Sequence, residues 1–146
     1  MTALIFSIFN SLIIFFWILL ICFPKKNITS KIINYPYIPI LFSLGYMYFM
    51  SLTFDGQSPN ILEADFSFLD GILDLFLNAT PESAAAGWLH YLAFDFWMGA
   101  WIVKNSIKLS IPHILIIPPL LFTFILGPVG IFIYSIVTRF YRLKRK

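Results

Sequence analysis

Four apolar runs of about twenty residues dominate this 146-residue chain and leave it little choice but to stack helices. Residues 3–23, 35–54, 84–103 and 114–137 each approach or exceed the roughly 20 residues that carry a helix across a hydrocarbon core. Charged residues make up 12% of the chain, about half the share of a soluble domain. The reading is an all-α polytopic membrane protein with four transmembrane helices, folded as a single membrane domain over residues 1–146. The first run lacks the basic residues that open a signal peptide and exceeds the length of its core, so it is expected to stay as a span. Cys22 is the only cysteine, which excludes an intrachain disulfide.

Between the second and third runs the chain turns acidic. Gly56-Gln57-Ser58-Pro59-Asn60 is a turn signal. Residues 66–77 then place Phe68, Leu69, Ile72, Leu73 and Phe76 on one helical face and Asp70, Asp74 and Asn78 on the other. This segment is too short to span, so a short interfacial or re-entrant helix is expected. Thr80-Pro81-Glu82 reads as a helix start: a capping hydroxyl, a proline at the first position and an acid favourable to the dipole.

Charge is segregated. All seven acids lie from Asp55 to Asp95, and all ten Lys and Arg lie outside that window. Four spans put both termini on one side, with the basic tail 139–146 (Arg139, Arg142, Lys144, Arg145, Lys146). Lys25, Lys26, Lys31, Lys104 and Lys108 fall on the other. Five against five leaves the orientation tied under the positive-inside rule. Basic residues of this kind flank membranes, and no nucleic-acid partner is expected; membrane lipid is.

The third run carries the chemistry. Gly87-Trp88-Leu89-His90-Tyr91-Leu92-Ala93-Phe94-Asp95-Phe96-Trp97 sets a histidine and an aspartate inside an apolar helix. An acid at the middle of a span costs about 3 kcal/mol on insertion scales and marks a functional site facing the bundle interior. His90 and Asp95 lie about 140° apart around their helix, so each needs partners from other helices. Glu82 sits at the mouth of the span. Ile111-Pro112-His113 opens the fourth run, with His113 at the interface. Pro118-Pro119 and Gly127-Pro128-Val129-Gly130 interrupt that run twice, and such breaks make clefts in bundles. No metal site is expected, because the histidines lack an i,i+4 partner and there is no second cysteine.

Ala86-Gly87-Trp88-Leu89-His90-Tyr91-Leu92-Ala93-Phe94-Asp95, followed by Gly99, Ile111-Pro112-His113 and Leu126-Gly127-Pro128-Val129-Gly130 with Tyr134, resembles the abscisic-acid-deficient-four-like family of small membrane proteins. The likeness covers roughly residues 80–138; the first two runs are similar in hydropathy and layout. The resemblance implies a four-span bundle in a plastid, thylakoid or bacterial inner membrane, linked to neoxanthin synthesis from violaxanthin. That conversion is an isomerisation, so no redox cofactor is implied. It needs an acid at the epoxide oxygen and a base for a carbon-bound proton. Asp95 is then the expected donor and His90 the base or relay, or the reverse, with His113 relaying at the interface and Glu82 a further acid. Trp88, Tyr91, Phe94 and Trp97 would line a polyene, with Gly87 beside them and Gly127, Pro128 and Gly130 as the opposite wall. The competing reading is a non-catalytic protein that binds a carotenoid or lipid, or assists a carotenoid-pathway enzyme, with a homo-oligomer as a further partner state. A proton-relay or transport protein is the third, and the internal repeats such machines carry are missing here.

Overall fold

The computed structural model describes residues 1–54 and 65–143. The turn at Gly56–Asn60, the acids Asp55 and Glu63, and the last three basic residues lie outside the described residues. The described chain is all-α, with seven helices and no strand. They are α1 (Thr2–Cys22), α2 (Asn27–Asn34), α3 (Tyr37–Thr53), α4 (Leu69–Leu77), α5 (Pro81–Lys108), α6 (Ile117–Leu126) and α7 (Pro128–Leu143), with a 3-10 turn at His113–Leu115. Among the described residues one helix, α1, is long and apolar enough to cross a membrane by length and composition.

α5 is the mast of the molecule. Its 28 residues extend about 42 Å. Its start is the one read from sequence: the Ser83 amide donates to Thr80 Oγ1 at 3.3 Å, the Thr80 amide donates to Ser83 Oγ at 2.8 Å, and Pro81 occupies the first turn. α1 runs parallel to it, as three contacts in register show. Thr2 meets Glu82, Asn10 meets Trp88, and the Trp17 ring lies 5.7 Å from that of Phe96. α3 runs antiparallel, with Gly45 against Leu89 and Pro39 near Trp97 and Ala100. Glycine sets the first of these approaches: a methyl on Gly45 would lie 2.6 Å from Leu89 Cδ2. Gly99 seats the Trp17 ring in the same way, and Trp17 is 2% exposed. Aromatic edges and small residues therefore close the three-helix core formed by Trp17, Phe42, Leu89 and Phe96.

α2 is a short helix in the connection between the first two apolar runs. Pro24 follows the end of α1, Thr29 turns back to donate to the Phe23 carbonyl at 2.7 Å, and Pro36 forces Tyr35 into extended backbone, ending α2. Thr29, Ile32 and Ile33 are buried against the bundle. α4 begins three residues later than expected and buries none of its residues; Leu69, Phe76 and Leu77 stand exposed.

The expected fourth span takes a different form. α6 and α7 are two helices that fold back on each other. Gly127 turns the chain at φ +47°, a value that favours glycine. Gly130 then lies flush against Thr123 and the Pro119 carbonyl. In a single straight helix residues 119 and 130 would stand about 16 Å apart. The returning α7 runs beside α5: Asn105 Nδ2 donates to Tyr134 Oη at 3.0 Å, Trp101 packs edge-on to Tyr134 at 5.6 Å, and Tyr141 Oη donates to the Ser110 carbonyl at 2.6 Å. Both limbs of the hairpin thus open at the C-terminal end of α5. Pro118 and Pro119 do not bend a helix, as the sequence suggested; they sit in the first turn of α6, where their missing amide hydrogens have no intrahelical partner to lose.

This reversal also sorts charge. The C-terminus of α1, all of α2, the C-terminus of α5 and the C-terminus of α7 share one end. Lys25, Lys26, Lys31, Lys104, Lys108, Arg139 and Arg142 lie there. Glu82 and the acidic chain from Asp65 to Asp74 belong to the other end. The five-to-five division assumed that α7 emerged on the far side, and it does not.

Candidate functional site: a notch above the hairpin turn

Asp95 lies at the midpoint of α5 and meets the tip of the hairpin. A methyl built on Gly127 would fall 2.7 Å from Asp95 Oδ1 and 3.5 Å from Oδ2. The carboxyl therefore rests beside the N-terminus of α7, the positive end of that helix's dipole. It is half-buried, and no donor among the described residues hydrogen-bonds it.

The same face of α5 continues upward from Asp95. Tyr91 lies one turn above and Trp88 two turns above, both within about 40° of Asp95 around the helix. Below Asp95, Gly99 seats the Trp17 ring of α1, and α7 packs on the adjoining face through Trp101 and Asn105. Above it the hairpin has already turned, so Trp88 and Tyr91 stay open, at 48% and 56% exposure. Gly87 has nothing within 4 Å of its would-be methyl. We call this open side the notch: the Asp95 carboxyl against Gly127, where α7 starts at Pro128, with the exposed Trp88 and Tyr91 rings above it on the same face of α5. Asn10 of α1 accepts a 3.0 Å hydrogen bond from Trp88 Nε1 and holds that indole upright.

The other expected site residues lie elsewhere. His90 faces the opposite side of α5, its ring 5.8 Å from Tyr46 and 4.8 Å from Phe94. His113 stands at the base of the hairpin, with the whole of α6, about 15 Å, between it and Gly127. Its Nε2 lies 2.8 Å from the Ile21 carbonyl, one of the acceptors that the end of α1 leaves without a helical partner. Glu82 is a comparable distance above Asp95 and accepts a 2.8 Å hydrogen bond from Thr2. Phe94 and Trp97 are exposed on other sides of α5. Gly130 is buried inside the hairpin, away from the notch. The structure thus sets Asp95 against Gly127, with Tyr91 and Trp88 on the same face of α5, and leaves Asp95, His90, His113 and Glu82 in four separate places. Among the described residues no three of His, Cys, Asp and Glu come together.

Asn10 was missed by sequence reasoning, although an amide within the most apolar run of the chain is a visible signal. The Asn105–Tyr134 pair, which docks α7 on α5, was missed as well. The Thr2 tie, the largest influence on Glu82, holds its carboxyl below the usual carboxylate range. A depressed folded value means that this contact favours the fold once the unfolded carboxyl has ionised. The benefit is lost as pH falls through the folded value. Thr2→Ala is expected to raise the Glu82 titration midpoint followed by carboxyl carbon NMR; an unmoved midpoint would show that the tie does not form.

These features define a small all-α protein with an unpaired carboxyl set at mid-length in an apolar helical bundle. A family model described as ABA DEFICIENT 4-like matches residues 4–134, and the chain belongs to that family. The match runs from α1 into α7 and includes the two N-terminal runs where the sequence likeness was one of hydropathy alone. No curated protein and no solved structure matches the chain.

Proposed function

We propose that the protein crosses a membrane three times, through α1, α3 and α5, and inserts α6–α7 as a half-depth hairpin from the basic side. α6 is about 15 Å long, half of a ~30 Å hydrocarbon core. α4, with its apolar side exposed, lies in the opposite interface. Three crossings place Thr2 and Leu143 on opposite sides and gather the seven described basic residues on one, so the positive-inside rule orients that side to the cytosol or stroma. Single-cysteine variants Ala3→Cys and Arg142→Cys in a Cys22→Ser background are expected to react with an impermeant maleimide from opposite sides. Labelling of both from the same side sinks the three-crossing topology.

Family membership relates the chain to neoxanthin synthesis in the carotenoid and abscisic acid pathway. We infer that the notch receives one end ring of an epoxycarotenoid and that Asp95 isomerises it. The observation that carries this reading is the half-buried carboxyl without a described donor, opening onto exposed aromatic rings. The reaction is balanced within the substrate. The epoxide C–O bond next to the polyene breaks as its oxygen takes a proton. A proton leaves the adjacent chain carbon, and two cumulated double bonds remain. One carboxyl suffices for both transfers: Asp95 gives its proton to oxygen, and the resulting carboxylate takes the proton from carbon. His90, on the far side of α5, has no part in this route.

Expression in cells that accumulate violaxanthin, with chromatographic analysis of pigments, tests the reading. A new allenic product is expected. The separation of Asp95 from His90 favours one competitor, a carotenoid-binding protein without catalysis. Its signature is violaxanthin that co-purifies with the protein unchanged.

A further inference from the structure

A second concavity lies at the basic end, apart from the notch. The elbow between α2 and α3 and the C-terminal half of α5 enclose a groove of about 180 Å³. Ile33, Pro39, Trp97 and Trp101 supply its apolar walls, and Asn34 and Lys104 are its polar groups. Tyr35 forms the lip, stacked on Tyr37 at 5.5 Å. No acid lines the groove. Lys104 is half-buried, and among the described residues it has no acceptor or ion-pair partner. A half-buried cation beside apolar walls with no counter-charge is better satisfied when an anion completes the site. Lys31 and Lys108 stand on the same end of the bundle and add to a field of one sign.

We propose that this groove holds an anionic glycerolipid, with its phosphate at Lys104 and Asn34 and an acyl chain along Trp97 and Pro39; the inference rests on the membrane reading above. The chemistry is mixed in the required way. A free phosphate would satisfy Lys104 but leave the apolar walls empty, and a neutral lipid would fill the walls but leave Lys104 unpaired. Basic pockets between membrane helices on the cytosolic side recognise anionic headgroups by this combination.

The test uses the full chain in a neutral detergent. Phosphatidylglycerol is expected to raise the melting temperature, whereas phosphatidylcholine at the same mole fraction and inorganic phosphate are not. Lys104→Gln should weaken the apparent phosphatidylglycerol affinity about tenfold, the loss of one charged hydrogen bond, with the lipid-free melting temperature unchanged. Asn34→Ala, which removes the amide that lines the groove, should weaken it as well. Lys104→Arg and Lys108→Gln, the latter outside the groove, should retain it. An equal response to phosphatidylcholine overturns the proposal. So does a response reproduced by phosphate alone, or full affinity in Lys104→Gln. A chain that stays in aqueous solution without detergent sinks the membrane reading itself. A chain extracted only by detergent, with no preference for phosphatidylglycerol, sinks the lipid site alone.

Discussion

Asp95→Asn is expected to lower pigment conversion by about 10²- to 10⁴-fold, the range ascribed to a positioned acid or base, while the protein accumulates at the wild-type level. The side chains are nearly the same size, and no donor among the described residues depends on the carboxylate, so the change removes a transferable proton without removing a contact. His90→Ala makes the comparison sharp. Its ring packs on Tyr46 and Phe94, remote from the notch, so its loss is expected to change conversion by no more than a few-fold. Pigment analysis and protein level, measured on the same cells, read both variants. Conversion that survives Asp95→Asn, or that vanishes with His90→Ala in well-accumulated protein, would overturn the one-carboxyl route.

The second large effect is structural. Gly130→Val is expected to destabilise the fold by about 3 kcal/mol, at the upper end of ordinary overpacking. The added side chain meets the Thr123 hydroxyl, the Thr123 amide and the Pro119 carbonyl, and two of these three are backbone atoms that cannot swing aside. Thermal unfolding in detergent measures the loss. Gly127→Ala is a milder change with a different signature. It forces an L side chain to φ +47° at a cost of about 1–2 kcal/mol and sets a methyl 2.7 Å from Asp95 Oδ1. Conversion should therefore fall more than stability does. Equal stability in Gly130→Val and wild type would mean that the two limbs do not pack as described.

Some of this was legible in the residues. Thr80, Pro81 and Glu82 announce the start of α5 because capping is a local matter of hydroxyl, fixed φ and dipole. Asp95 was legible as an anomaly because charge in an apolar run is costly wherever the run lies. Its meeting with the Gly127–Pro128 break followed from the need for a partner. What hydropathy could not distinguish was a kink from a reversal at that break. Both have the same composition; the choice is made by Gly130 fitting against Thr123 and Pro119, a tertiary contact with no trace in periodicity. The tied orientation was a consequence of that one ambiguity. α2 escaped because eight amphipathic residues between two apolar runs read as a connection. Residue type alone did not show that the His113 ring reaches the carbonyl end of α1, because that contact is tertiary.

The proposed half-depth insertion of the hairpin has a kinetic consequence. If the bundle sits in the membrane as proposed, the notch above Gly127 faces the lipid, and a long apolar guest would reach Asp95 by sliding within the plane of the lipid without passing through water. The quantity that governs its arrival is its mole fraction among the surrounding lipids, a two-dimensional concentration. Diluting reconstituted protein and pigment with additional empty lipid in the same bilayers should then slow conversion in proportion to the dilution, although the total amount of pigment in the tube is unchanged.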